Sequence, residues 1–222
     1  MLRVLLFFLL MVITACTPAT PPLQLVQDCN AVFTSAELME GHWLLQPKTL
    51  RIRQSALLEI GRKKIPMEGF LRLDLEREEA RLLAMNEMGV VLFDLQVTSD
   101  GEQLHRVLPQ LQQVKGLAQG VAQSLRQIFL RPKPQRDDQF ESFGNSQRFL
   151  RPLAEGDTLT FLFDCQGELR ETRYGVDSRD WRILYGHYQS FGAVRLPQEI
   201  VLNDYQHNVK LSLWLREVKE EL

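Results

Sequence analysis

The 222-residue chain is short of almost everything that announces chemistry. It has three cysteines and four histidines. His42, His105, His187 and His207 fall without the spacing that metal ligands need, which argues against a built metal site. No Gly-x-Ser-x-Gly elbow, His-Glu-x-x-His pair, Cys-x-x-Cys, phosphate loop or dinucleotide fingerprint occurs. The acidic pairs Glu78-Glu79 and Asp137-Asp138 sit in turn-like and polar stretches and read as solvated groups, not as a dyad with separated pKa values. With a net charge of −2 the chain also lacks the cationic stripe that dominates phosphate-backbone contact, which excludes nucleic acid as the expected partner. The expectation is a non-enzyme that carries no cofactor.

What is present begins at the N-terminus. Arg3 precedes an apolar run from Val4 to Ile13, half the length of about 20 residues that a membrane helix needs. It reads as a leader ending at a small-residue cleavage site, with a short anchor helix as the other reading. Then "ITACTPATPP" places Cys16 after Thr14-Ala15 and before a proline-rich tether. The order Ile13-Thr14-Ala15-Cys16 resembles the bacterial lipobox. That resemblance implies cleavage after residue 15 and an acylated Cys16, with palmitate-type chains, as the first mature residue. Two or more acyl chains hold a protein stably on a bilayer. Thr17, being other than Asp, implies sorting to the outer membrane with the body facing the periplasm.

Residues 16–28 are the lipidated cysteine and the tether, and the twelve residues after Cys16, at roughly 3.1 Å each, reach about 37 Å. In an oxidising compartment the other two cysteines, Cys29 and Cys165, are a candidate disulfide that would staple the tether's end to the body; two buried thiols are the alternative.

From Leu50 to about Arg106 the apolar period is two. Leu71, Leu73 and Leu75, then Leu83 and Met85, then Val91, Phe93, Leu95 and Val97 mark antiparallel strands, with turns at Gly61–Lys64, Asn86–Gly89 and Ser99–Glu102. Ser35–Glu40 reads as one short helical turn. The period changes once: Leu111, Val114, Leu117, Ala118, Val121, Leu125, Ile128 and Phe129 form the stripe of a helix over about 109–130, ended by Pro132, with Lys115, Gln119, Gln123 and Arg126 on its other side. Residues 131–147 read as a polar loop. Period two then resumes through Leu159, Phe161 and Phe163 to the C-terminus. The expectation is a mainly β chain with helices: one domain over 29–222, a curved antiparallel sheet or open half-barrel of about ten or eleven strands, and a helical plug. One helix covers little of such a sheet, so an apolar hollow between them is expected.

This order of elements resembles the lipoprotein localisation factors, the LolA and LolB family, through the lipobox, the strand-helix-strand layout, "MEGFLRLDLEREEARLLAMNEMGVVLFDLQV" from Met67 to Val97 and "RLPQEIVLND" from Arg195 to Asp204. A group of bacterial lipoproteins linked to aryl-polyene pathways is similar too. The resemblance implies an acyl-binding protein that receives a ligand, from a LolA-like periplasmic carrier, and inserts it into the outer membrane. It implies a lining built from Phe93, Leu95, Leu117, Val121, Leu125, Phe129, Phe161 and Phe163. In the receptor a loop of the form Asn-x-Leu-Gly exposes its leucine to the membrane. Here Asn86-Glu87-Met88-Gly89 puts Met88 at that place, and a methionine suits varied acyl chains. The rival reading is a structural or assembly lipoprotein that binds a protein partner and has no lipid cavity.

Overall fold

The computed structural model describes residues 32–114, 116–176, 180–192 and 194–221. The leader, Cys16, the tether and Cys29 lie outside them. Twelve strands make one antiparallel sheet: β1 (Thr49–Ile60), β2 (Lys63–Asp74), β3 (Glu79–Met85), β4 (Val91–Val97), β5 (Glu102–Val107), β6 (Gln139–Phe143), β7 (Ser146–Pro152), β8 (Thr158–Phe163), β9 (Leu169–Gly175), β10 (Trp181–Phe191), β11 (Val194–Asp204) and β12 (Val209–Glu221). Their order is β5-β4-β3-β2-β1-β12-β11-β10-β9-β8-β7-β6. Every link is a hairpin except β1 to β12, where the two ends of the strand series meet, and β5 to β6, where the helices lie. The count is twelve rather than ten or eleven because part of the polar stretch 131–147 is strand: β6 and the start of β7 pair around a turn at Gly144, whose φ is +54°. A glycine tolerates that conformation where a β-carbon would strain it.

Alternation sets the faces. In β1, Leu50, Ile52, Gln54, Ala56 and Leu58 are buried, while Arg51 and Arg53 between them are exposed. The inward side chains of β3, β4, β8 and β12 continue one core across the sheet.

The expected helix over 109–130 is broken into three pieces. These are α2 (Pro109–Gln112), α3 (Leu117–Leu125) and a π-helical turn at Arg126–Leu130, after α1 (Ser35–Gly41) earlier in the chain. The break comes at Gly116, which stands at φ +77° ahead of α3, a conformation that ends α-helical winding. The π turn is buried throughout, Arg126 included, contrary to its expected outward place. Its guanidinium is held by the Thr98 carbonyl at 2.9 Å and by Glu102 at 2.6 Å. α3 packs against β4 and β5, and the π turn against β3.

α1 carries a full capping box: Thr34 Oγ1 accepts from Glu37 N–H while the Glu37 carboxylate accepts from Thr34 N–H at 2.8 Å. The helix docks at the β8–β9 turn, where a β-carbon on Gly167 would meet the Phe33 ring at 3.3 Å and Leu38 at 3.4 Å. That turn is fixed by buried charge. Arg170 binds Asp164 at 2.6 Å and Glu168 at 2.7 Å, and Arg195 closes on Glu168 from β11. Cys165 between them is disulfide-bonded. Removing one member of such a set leaves a buried charge unpaired, which costs several kcal/mol.

Candidate functional site

The sheet's inner face changes character along the strands. One cross-strand row reads Ile52, Leu71, Leu82, Leu95, all large. The next inward row toward the β1–β2 turn reads Gln54, Gly69, Ala84, Phe93, with Ala56 beyond Gln54 on β1. Two small residues side by side, under a helix that presents Gly120, leave space that no side chain among the described residues fills.

That space is a hollow of about 520 Å³, inside the range of about 300–1,000 Å³ typical of small-molecule sites. Its sheet wall includes Ala56, Leu58, Met67, Leu82, Leu211 and Leu213; its helix wall is Leu117, Gly120, Val121, Ser124 and Leu125. Two polar groups in these walls are buried: Gln54, 2% exposed, with its Oε1 unpartnered among the described residues, and Ser124, whose Oγ donates to the Gly120 carbonyl at 3.0 Å. Polar groups otherwise stand at the margins: Glu68, which accepts from Ser55 Oγ at 2.8 Å, and Gln119, Gln123, Asp204 and His207. A smaller hollow of about 250 Å³ lies on the other flank of α3 against β4 and β5. The two share Phe93, Val114, Leu117 and Val121, so α3 stands as a partition between them.

Of the eight residues expected to line a cavity, Phe93, Leu117, Val121 and Leu125 line the larger hollow, and Leu95 the smaller one with Phe93, Leu117 and Val121. Phe129, Phe161 and Phe163 do not. They belong to the filled part of the core: Phe129 meets the Trp43 ring edge-on at 6.2 Å, and Phe163 sits between His42 at 5.9 Å and Phe149 at 5.7 Å. α1 and the Trp43–Leu45 turn bring Leu38, Trp43 and Leu44 into that core, a contribution the strand pattern alone does not reveal. Sequence reading missed the sheet wall of Leu58, Met67, Leu82, Leu211 and Leu213, and with it the small residues that leave the space. Ala56, Gly69 and Ala84 at inward positions were the available signal.

The hollow opens toward one end of the sheet, because Ile60, Asp204, His207 and Val209 from the tips of the β1–β2 and β11–β12 hairpins belong to its lining. The Asn86–Gly89 turn lies toward that same end. Asn86 Oδ1 accepts from Met88 N–H at 3.0 Å and Val90 N–H at 2.9 Å, and Gly89 at φ +77° completes the reversal. Met88 is thereby turned out, 82% exposed. β3 ends opposite Glu68, however, and β2 continues to Lys63. The β1–β2 tip therefore projects past Met88 by about four residues, roughly 13 Å along the strand.

Of the titratable groups singled out from the sequence, His207 is the one among the described residues that lines the larger hollow. His42 is buried, and burial pushes its imidazole down to about 3, with Lys133 nearby acting in the same direction. His207 is clamped to Asp204 at 2.9 Å. Glu78 pairs with Lys133 at 2.9 Å, and Asp138 is buried against Arg151 at 2.6 and 2.9 Å, an ion pair where a solvated carboxylate was expected. Among the described residues no group of three His, Cys, Asp or Glu side chains could hold a metal ion, and no helix is long and apolar enough to cross a membrane.

No family model matches the chain. Among solved structures it is similar to a LolA superfamily protein from Nitrosomonas europaea, at TM-score 0.53 and 9% identity over 86% of this chain and 95% of that one. It is similar also to a DUF1329 family protein from Desulfovibrio piger, at TM-score 0.54 and 5% identity over 84% of this chain and 90% of that one. At such identities the likeness is one of fold: a LolA-like open antiparallel sheet with few helices.

Proposed function

We propose that this chain is a lipid-anchored periplasmic protein that takes the acyl part of a lipid or acylated protein into the hollow beneath α3 and passes it to the outer membrane. The observation that carries the reading is the hollow itself, about 520 Å³ walled by leucine, alanine, valine and glycine within a LolA-like fold. Such a wall binds hydrocarbon by excluding it from water, at about 0.8 kcal/mol per buried methylene. Because the interaction is non-directional, release to another apolar site needs no covalent step and no nucleotide. Phe93, Leu117, Val121 and Leu125 are the contacts we assign, Leu95 joins them where a chain bends round α3, and Met88 is the side chain that meets the bilayer. Cys16 supplies the anchor, and a Cys29–Cys165 bond would hold the tether's end at the β8–β9 turn. A LolA-like periplasmic carrier is the partner we assign to it.

The rival reading, an assembly lipoprotein that pairs a protein onto an open sheet edge, has less support. Edge strand β5 is short and carries Glu102, His105 and Arg106, and edge strand β6 is five residues long with Glu141 bound to Arg148. Short, charged edges resist strand addition.

Uptake of a fluorescent fatty acid, with native mass spectrometry for an acyl species that co-purifies, tests the reading. Val121→Asp puts a charge into the helix wall of both hollows and should abolish uptake while circular dichroism still reports the sheet. Wild-type protein that is clean of lipid and takes up no probe would refute it.

A further inference from the structure

The end at which the hollow opens also gathers exposed apolar side chains. Ile60 is 39% exposed, Val176 53% and Tyr205 53%. They stand on neighbouring tips that are tied together: Gly61 N–H donates to the Asn208 carbonyl at 3.4 Å, and Tyr205 N–H to the Asp180 carbonyl at 2.9 Å. The β1–β2 tip adds Arg62, Lys63 and Lys64, all exposed. Lys64 is paired with Glu59 at 2.9 Å, while Arg62 and Lys63 have no ion pair among the described residues. On the acidic side, Asp204 is held by His207, and Asp180 is half-buried against Gly175. Glu87 on the Asn86–Gly89 turn is exposed and carries no ion pair among the described residues, but that turn stands back from the β1–β2 tip, so the unpaired charge at the outermost point is that of Arg62 and Lys63.

We propose that this rim, Ile60, Val176 and Tyr205 with Arg62 and Lys63, docks the mouth of the hollow onto an anionic lipid bilayer. The inference deepens the acyl-binding reading and rests on it, since a bilayer is the source or sink such a ligand needs. Two signals together, apolar side chains that enter the interface and cations that meet anionic headgroups, give the stable peripheral contact that either alone does not. The tether permits it. Phe33 lies against Gly167 at the end of the sheet away from the mouth, and the twelve residues of β1 span about 40 Å. Residues 16–28 drawn out at about 3.3 Å each reach about the same distance, so a chain anchored at Cys16 can set its rim on the bilayer that holds it.

The test uses the full chain carrying Cys16→Ala, so that acylation cannot mask the contact. It is mixed with vesicles of phosphatidylcholine, or of phosphatidylcholine and phosphatidylglycerol in equal parts, and co-sedimentation is measured. The parent should bind the anionic vesicles in preference. Arg62→Gln/Lys63→Gln should weaken that binding about twenty-five-fold, about fivefold for each cation removed, and Tyr205→Ser should weaken it on both vesicle types. Fatty-acid uptake should survive in all three, because none of these side chains lines the hollow. Equal binding to both vesicle types, or an unweakened double variant, overturns the docking. Anionic-selective binding by a parent that takes up no fatty acid keeps the docking and removes the acyl reading alone.

Discussion

Gly69 on β2 pairs directly with Ala84 on β3, so two small inward residues of this sheet stand next to each other beneath α3. The hollow is a consequence of that pairing. A β-carbon on Gly69 would already meet Leu82 Cδ1 at 3.1 Å and Gln54 Cγ at 3.2 Å, whereas Ala84 faces the open space with Phe93 beyond it.

Ala84→Leu should therefore fill part of the hollow without straining the sheet. The added methyl and methylene groups displace about two methylenes of a bound chain, at about 0.8 kcal/mol each, so fatty-acid affinity should fall more than tenfold. Stability in urea should hold or rise, because the new atoms enter a void and not a packed region. Unchanged affinity would show that ligand goes elsewhere; a fall in stability of several kcal/mol would show that the void is not there to fill.

The pH dependence of stability should trace to His42. Its Nδ1 accepts from Leu44 N–H at 3.1 Å, capping the Trp43–Leu45 turn, and its Nε2 is buried without a partner among the described residues. The folded imidazole stays neutral down to about 3, while the unfolded one protonates near 6.5. Between those values the unfolded state binds the extra proton. Stability from this group is thus fully present above about 6.5 and declines as pH falls, by up to about 1.4 kcal/mol per unit, until the folded pKa is reached. His42→Asn keeps a cap acceptor and removes the titration. Urea midpoints from pH 7.5 to 4.5, a window set by those two pKa values, should fall less steeply in the variant; parallel curves would assign the acid sensitivity to the carboxylates.

Much of the fold was legible because alternation is a local signal: β2 and β4 announce themselves through Leu71, Leu73, Phe93 and Leu95, whereas Leu83 and Met85 marked β3 by its outer face, its buried residues being Leu82 and Ala84. The break at Gly116 was not, since a glycine in an apolar stripe is tolerated in many helices, and only the packing of α3 on β4 and β5 decides that the winding stops there. β6 was hidden by its polarity; an edge strand with exposed Glu141 and Phe143 has no buried face to alternate against. At the site, Phe93 and Val121 could be picked out by hydrophobicity. Phe161 and Phe163 share that hydrophobicity and yet pack solidly, because the neighbours opposite Phe161 are Phe149 and Thr172, and those opposite Phe163 are Gln147 and Leu169, not Gly69 and Ala84. A cavity is a property of facing pairs, and pairing register is not written in any one strand.

Tether length should separate loading from delivery. Phe33 and α1 dock on the β8–β9 turn around Gly167, and the mouth opens at the other end of strands about 40 Å long. Deleting Pro18–Pro22 removes five residues and about 15 Å of reach, which leaves the anchored chain too short to lay its rim, or Met88 behind it, on its own bilayer. Fatty-acid uptake should be unchanged, since none of the hollow's walls is touched. Transfer of a preloaded fluorescent acyl chain from the anchored protein into its own vesicle should drop severalfold, and a Gly-Ser replacement of equal length should restore it. Met88→Glu should lower transfer as well, by placing a charge where the turn meets the interface. Full transfer by the shortened chain would mean that delivery does not proceed through the end of the sheet where Ile60 and Asp204 frame the hollow.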